Sequence, residues 1–377
     1  MSENKNSRVP ACRFPGFEGE WEEKKLGDVI KITKGKQVNG DKLNKTIGYP
    51  MMNGGATLSG YYTNYNCEAN TIIISEGGNS CGFVNYMKER FWAGGHCYIV
   101  STNNDDCAPY IYQMLKYNEN RIMALRVGSG LPNIQSKSLV EFKVMLPPTL
   151  AEQQKIAECL TAADETIAAQ QEKVDALKRE KKGLMQQLFP QDGETTPRLR
   201  FPGFEGEWEE KSVDELCSTL TPPLKLQSSE YKNSGKYPII DQSQAFICGW
   251  TDNEKGLITE TPIIVFGDHT CVLKFIDFPF VQGADGVKIL VPSGKYNARF
   301  VYQSFLANPV KQDGYKRHFT DFKEKTYPFP PSILEQQKIA DCLSALDDKI
   351  SAEQQKLEAL KDHKKGLMQQ LFPQPSK

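Results

Sequence analysis

Four histidines, four tryptophans and a net charge of −1 in 377 residues leave few chemistries open. No run approaches the roughly 18 apolar residues that a bilayer span needs, and the opening MSENKNSRVP has no secretory apolar segment, so the expected compartment is the cytoplasm. Paired cysteine spacing is missing too. Cys12, Cys67, Cys81, Cys97, Cys107, Cys159, Cys217, Cys248, Cys271 and Cys342 are scattered, which favours free thiols over a disulfide framework. His96-Cys97 and His269 with Cys271 lack a second ligand pair at zinc-finger spacing, so no metal is expected. The proline pairs Pro147-Pro148, Pro222-Pro223 and Pro330-Pro331 lack the preceding Asn or Asp of an amino-methyltransferase motif. Gly35-Lys36, Gly235-Lys236 and Gly294-Lys295 lack the upstream glycine of a phosphate-binding loop. Asp241 and Glu260 have no Glu-x-Lys suitably near to complete a nuclease site. The expectation is a non-catalytic chain without cofactor or metal.

What is present is said twice. Arg13–Lys24 reads RFPGFEGEWEEK, and Arg200–Lys211 repeats it residue for residue. EQQKIA at 152–157 and KKGLMQQLFPQ at 181–191 return at 335–340 and 364–374. Self-similarity at so long a period marks duplicated modules. The segments between the matched blocks diverge, as does their charge: residues 26–149 hold 12 Lys and Arg against 9 Asp and Glu, residues 212–332 hold 13 against 13. Charge alone therefore neither signals nor excludes nucleic acid.

The later repeated blocks read as long helices. Thr149-x-x-Glu152 and Ser332-x-x-Glu335 each follow a Pro-Pro pair and have capping-box spacing. Ile156, Leu160, Ala163, Ile167, Gln170, Val174, Leu177, Lys181, Leu184 and Leu188 recur at steps of four and three, interrupted by Gln170 and Lys181. The second copy keeps this register, with Glu353 and Lys364 as its interruptions. Such spacing supercoils helices in pairs, and about 38 residues extend about 57 Å. Each seam needs a partner, and its own copy is the matching one, so an antiparallel pair related by a pseudo-twofold is predicted.

The divergent segments read as strand-rich domains of one fold. Thr71–Ile74, Cys97–Val100, Glu141–Met145, Pro262–Phe266 and Val287–Val291 are short apolar strands, and 109–117 is a helix. Tyr49-Pro50 matches Tyr237-Pro238, Gly60-Tyr61 matches Gly249-Trp250, and Tyr112-Gln113 matches Tyr302-Gln303.

With its RFPGFEGEW openings, the segments GSGLPNIQSKSLVEFKVMLPPTLAEQQKIA and YKRHFTDFKEKTYPFPPSILEQQKIA, and the doubled LMQQLF ends, the chain resembles the specificity subunit of type I restriction-modification systems over nearly its whole length. The resemblance implies an α+β chain. Two homologous mixed α/β target-recognition domains would be separated by two long conserved helices forming an antiparallel coiled coil in a pseudo-twofold circular arrangement. The expected segments are 1–25 (opening), 26–148 (first recognition domain), 149–190 (central helix), 191–211 (linker and second opening), 212–331 (second recognition domain) and 332–377 (C-terminal helix and tail). It also implies double-stranded DNA as ligand, one half of a bipartite site per domain, with two adenine methyltransferase subunits docked on the repeated helices and restriction-translocase subunits recruited to that core. The exit segments differ, LPNIQS against RHFTDF, so contacts do not transfer directly between the halves. The alternative is a coiled-coil assembly adaptor without DNA binding.

Candidate DNA-contacting residues are donors and aromatics on the loops, because base edges are read by such side chains while Lys and Arg hold phosphates. In the first domain these are Lys34, Lys36, Asn53, Gly54, Gly55, Tyr61, Tyr62, Asn64, Tyr65, Asn133, Gln135 and Lys137. In the second they are Gln242, Ser243, Gln244, Trp250, Thr251, Asn253, Lys316, Arg317 and His318. Repeated helix residues outside the seam are the docking candidates: Gln153, Gln154, Lys155, Gln186 and Gln187, with Gln336, Gln337, Lys338, Gln369 and Gln370 in the second copy.

Overall fold

The computed structural model describes residues 8–102, 108–128 and 130–373; Cys107 and the outermost residues of both terminal segments lie outside the described residues. The chain forms two compact units, Met1–Gln171 with Lys356–Lys377, and Glu172–Gln355. Each unit contains part of both long helices. All described cysteines are free, and among the described residues no helix is long and apolar enough to cross a membrane.

The first unit runs β1 (Glu22–Lys25), α1 (Leu26–Val29), β2 (Ile30–Lys34), β3 (Tyr49–Met52), β4 (Gly60–Tyr62), β5 (Thr71–Ser75), β6 (Val84–Met87), β7 (Trp92–Ala93), β8 (Cys97–Thr102), α2 (Ala108–Tyr117), α3 (Glu119–Met123), α4 (Ser136–Val140) and β9 (Lys143–Leu146), then enters α5 (Leu150–Leu188). The second continues with β10 (Glu209–Ser212), α6 (Val213–Leu216), β11 (Cys217–Leu220), β12 (Tyr237–Ile240), β13 (Gly249–Thr251), β14 (Leu257–Ile258), β15 (Ile263–Gly267), β16 (Leu273–Ile276), β17 (Phe280–Gln282), β18 (Val287–Pro292), α7 (Ala298–Ala307), α8 (Phe319–Lys323), β19 (Thr326–Phe329) and α9 (Ile333–Leu371).

The two domains share one topology. A four-stranded sheet has order β2-β8-β5-β6 in one and β11-β18-β15-β16 in the other; a smaller sheet has β4-β3-β7 and β13-β12-β17-β14. In the smaller sheets Pro50 faces Tyr61 and Pro238 faces Trp250, so the matched dipeptides are register partners. One expected strand is shorter than its sequence suggested. Glu141 caps α4 after Val140, and β9 begins at Lys143.

The repeated blocks pack on one another inside each unit. Arg13 forks onto the buried Glu152 carboxylate at 2.7 and 2.8 Å and also donates to the Gly19 and Glu18 carbonyls; Arg200 repeats this on Glu335 at 2.8 and 2.9 Å. The hydroxyl half of the expected caps is present, Thr149 accepting from the Glu152 amide at 3.3 Å and Ser332 from the Glu335 amide at 3.4 Å. The two carboxylates are taken by arginine rather than by the cap. At the other helix ends, Phe372 meets Trp21 edge-on and stacks on Tyr117 with centroids 4.8 Å apart, and Phe189 meets Trp208 edge-on and stacks on Phe300 at 5.4 Å. The first unit is thus closed by Phe372, just past the end of α9.

The seams do find each other. In the second unit Lys173 pairs with Glu353 and Lys181 with Asp347, so numbers fall along α9 as they rise along α5 and the segments are antiparallel. In the first unit Leu160 shares a core with Met368 and Leu371, and Lys364 donates to Asp164 at 2.5 Å. Each interrupting lysine is therefore a partner, and each recognition domain joins the pair: Gln113 of α2 donates to Asp164 at 2.7 Å, Gln303 of α7 to Asp347 at 3.1 Å.

Candidate nucleic-acid interface

At one end of each domain the turns after three strands meet the segment leading into the last short helix. The same three backbone bonds build both clusters. Gly94 donates to the Met52 carbonyl at 2.7 Å, Glu76 to His96 at 2.9 Å and Ile134 to Glu76 at 2.8 Å. In the second unit Gly283 donates to Ile240 at 2.8 Å, Asp268 to Gly286 at 2.7 Å and His318 to Asp268 at 2.8 Å. Backbone holds the loops while side chains are free to differ.

In the first unit Lys34, Lys36, Asn53, Asn133, Gln135 and Lys137 lie on this cluster or its rim. Lys34 is exposed but paired with Glu76 at 2.8 Å, and Glu76 also accepts from the Tyr98 hydroxyl at 3.2 Å. The Lys36 amide donates to the Ala93 carbonyl at 2.9 Å, which sets Lys36 beside the turn after β7. Gly54 has a structural reason of its own: at φ +86° a Cβ would lie 2.7 Å from the His96 carbonyl oxygen. Its amide is engaged by the Cys97 sulfur at 3.1 Å and is not offered to a ligand. Gly55 is half-buried beside it, while Asn133, Gln135 and Lys137 are exposed.

The tyrosines are not part of this cluster. Tyr62 faces Tyr49 across the sheet and Met51 faces Gly60, so Tyr61, Tyr62, Asn64 and Tyr65 approach or pass the opposite end of β3 from Asn53. There Tyr62 packs edge-on against Trp92, and Tyr65 lies between Tyr49 and the Arg90 guanidinium. Register separates Trp250, Thr251 and Asn253 from the second cluster in the same way, with Thr251 facing Tyr237. Thr251 is buried, and Asn253 caps the turn at Lys255.

In the second unit several candidates turn inward. Gln242 donates to the Asp285 carbonyl at 3.1 Å and accepts from the His269 amide at 3.1 Å, which makes it a brace between turns. Ser243 donates its amide to Asp241 at 2.8 Å and its hydroxyl oxygen is buried. His318 has a fully buried side chain with Nδ1 3.3 Å from Asp321, so it plugs the domain and cannot meet DNA. Gln244, Lys316 and Arg317 are exposed. Beneath them Lys274 donates to the Asp241 and Ala245 carbonyls at 2.7 and 2.6 Å, and its burial lowers its pKa. Burial raises the Asp241 carboxyl, but hydrogen bonds from Ser243 and Cys248 and the Lys274 charge outweigh it and leave it below its ordinary value. The Lys274 ammonium and the Asp241 carboxylate on the loop floor are both engaged by neighbouring groups, so the floor is not a free site.

The docking candidates also divide. Gln154, Lys155, Gln186, Gln187, Gln337, Lys338, Gln369 and Gln370 are exposed, and Gln153 is half-buried. Gln336 is 2% exposed, donating to the Pro330 carbonyl at 3.0 Å and accepting from the Asn297 amide at 3.0 Å, so it serves the interior.

Residues 18–179 and 205–362 match the family described as Type I restriction modification DNA specificity domain. The chain belongs to that family. A Mycoplasma pneumoniae protein described as a type I specificity subunit is 23% identical over 94% of this chain and 96% of its own length. The specificity subunit of the type I restriction enzyme MjaVIII from Methanocaldococcus jannaschii is 22% identical over 94% of this chain and 92% of its own. The fold matches the crystal structure of the type I restriction-modification system S subunit from M. genitalium, with a TM-score of 0.70 and 19% identity, over 98% of this chain and 100% of that one. Membership in the specificity family implies sequence-specific DNA recognition and a chain that is not itself an enzyme. Among the described residues no group of three or more His, Cys, Asp or Glu could hold a metal.

In this specificity-family fold the clusters also hold residues outside the DNA-contact candidates: Glu76 and His96 in the first, His269 and Tyr315 in the second, and Leu131 on the first exit loop. One signal was available. Leu131 and Tyr315 are large side chains among Gly, Pro, Asn and Lys, in segments with no strand or helix periodicity to absorb them.

Proposed function

We propose that the chain reads an asymmetric two-part DNA sequence, one half through each recognition domain, while α5 and α9 set the gap and carry the catalytic subunits. The observation that supports this reading is the doubled loop cluster, in which three shared backbone bonds frame different side chains. Readers of related geometry and different sequence need that combination, because groove edges are distinguished by side chains. The exposed residues Lys34, Lys36, Asn133, Gln135 and Lys137 in one domain and Gln244, Lys316 and Arg317 in the other are the contacts we assign to DNA. Tyr61, Tyr62, Asn64, Tyr65, Trp250 and Asn253, toward the other end of each small sheet, form a separate secondary set.

Two methyltransferase subunits dock on the repeated outer residues, one for each copy, and restriction-translocase subunits join through that core. Relatives named as specificity subunits of type I restriction enzymes support this assembly. Mapping methylated adenines in a methylation-free host that carries the chain and its methyltransferase subunit tests the reading. Exchanging residues 26–148 for the matching segment of a related subunit should change one half of the methylated sequence and leave the other intact. Changes in both halves would show that the domains do not read independently. A chain that assembles yet shows no salt-dependent DNA binding is the adaptor instead.

A further inference from the structure

Leu131 and Tyr315 are 86% and 87% exposed, and the next large apolar side chain among the described residues is Ile47 at 75%. Each stands three residues before a wholly buried side chain, Ile134 or His318, whose amide docks at 2.8 Å on the carbonyl of Glu76 or Asp268. They occupy matching places on the two exit loops. Described residues beside each side chain are tied by hydrogen bonds. Pro132 accepts from Gly78 at 2.9 Å, and Val127 and Asn133 exchange bonds of 2.8 and 3.0 Å around the first tip. At the second, the Tyr315 ring stacks on His269 with centroids 4.8 Å apart, His269 Nδ1 lies 3.1 Å from the Lys316 carbonyl, and Gln312 donates to the His269 carbonyl at 3.0 Å.

Chain built this way holds an apolar side chain in water when a polar one would cost nothing. Its neighbours supply the other half of a DNA contact: Asn133, Gln135 and Lys137 beside Leu131, Lys316 and Arg317 beside Tyr315. Polar donors of that kind read base edges and phosphates, but the thymine C5 methyl is recognised by apolar contact. We propose that Leu131 and Tyr315 are specificity-determining residues, each covering a thymine methyl in the half-site its domain reads. This rests on the two-half reading proposed above.

The full chain, prepared with its methyltransferase subunit, is first selected on random duplex DNA to define the sequence it prefers. Binding is then measured to that duplex and to versions in which each thymine in turn is deoxyuridine, which removes only the methyl group. In the wild type one such replacement in each half should weaken binding roughly tenfold, within the usual cost of one wrong base pair. Leu131→Ala should lose the same factor and become indifferent to the replacement in one half, and Tyr315→Ala should do so in the other. Leu131→Met and Tyr315→Phe should keep the wild-type response. If wild type selects a sequence but no deoxyuridine matters, or if both alanine variants weaken specific and random duplexes equally, the inference is overturned. A wild type that selects no sequence overturns the two-half reading along with it.

Discussion

The Lys364 ammonium lies 2.5 Å from the Asp164 carboxylate inside the first unit, on a seam where every other helical repeat offers an apolar side chain or a glutamate. Lys181 and Asp347 make the same pair in the second unit at 2.6 Å. A charge at a seam position costs stability and fixes register, because only one alignment supplies its partner. Gln113 and Gln303 extend that alignment to the recognition domains.

Asp164→Ala should therefore destabilise the first unit by about 2 kcal/mol, since it strands a lysine whose side chain is 12% exposed, while the one-third exposure of Asp164 moderates the loss. Asp164→Leu with Lys364→Met should sit within about 1 kcal/mol of wild type or above it. Denaturant melts of the three chains separate these outcomes; equal losses in the single and double variants would remove the pair from the account of register.

The two arginine forks should differ in strength. Trp21 donates to Glu152 at 3.3 Å, whereas the Trp208 indole nitrogen is buried without a partner. Arg200→Ala leaves the buried Glu335 carboxylate without a side-chain donor, so it should cost about 3 kcal/mol or more, and Arg13→Ala measurably less. Lysine at either position should restore little, because the fork is bidentate. Hydrogen exchange resolved along the chain should show protection lost in the unit that carries each change and kept in the other.

Much of this architecture was legible because it is encoded locally. Heptad spacing placed α5 and α9, and the matched Tyr-Pro and Gly-aromatic dipeptides turned out to be register partners in both small sheets. The site was less legible because exposure is decided by distant residues. Gln242 reads like Gln244, yet only Gln242 has the Asp285 carbonyl and His269 amide within reach. His318 looks like a basic loop residue beside Lys316 and Arg317, and becomes a plug once its amide meets Asp268. Gln153 and Gln336 share the EQQKIA block, but Gln336 is drawn inward by the Asn297 amide and the Pro330 carbonyl while Gln153 stays half-buried. Neither residue type nor spacing carries that information.

Thiol chemistry offers a check on the cores. Burial raises the Cys67 and Cys97 thiols to about 11 and the Cys217 thiol to about 12, so none is a thiolate near neutral pH. At pH 8 a maleimide should label the exposed Cys12 first and reach these three only after unfolding. Peptide mass spectrometry reads the order directly, and early labelling of Cys217 would mean that the second unit opens below its melting transition.

On the repeated face, Lys155 pairs with Glu158 at 3.2 Å and Lys338 lies 5.4 Å from the Phe204 ring, both solvent-exposed arrangements. Reversing both charges should cost under about 0.5 kcal/mol of fold stability. If this face docks methyltransferase subunits, Lys155→Glu and Lys338→Glu should each lose one copy in native mass spectrometry, and the double variant should lose both. A double variant that still recruits two copies at wild-type concentration removes these lysines from the interface.

The spacing role of the helices can be tested because the two lysine pairs make a one-sided change self-defeating. Four residues inserted after Gln171 in α5 alone lengthen one helix between Asp164 and Lys181 while Asp347 and Lys364 keep their separation on α9, so one pair must break. Matching insertions after Gln171 and Gln355 restore both pairs and lengthen the helix pair by about 6 Å, close to two base-pair steps of duplex DNA, with a net turn of about 40°. The single insertion should destabilise the chain and abolish methylation. The paired insertion should keep the fold and move the methylated halves further apart, as read by methylation mapping. An unchanged gap with full activity in the paired variant would show that something other than α5 and α9 sets the distance between the half-sites.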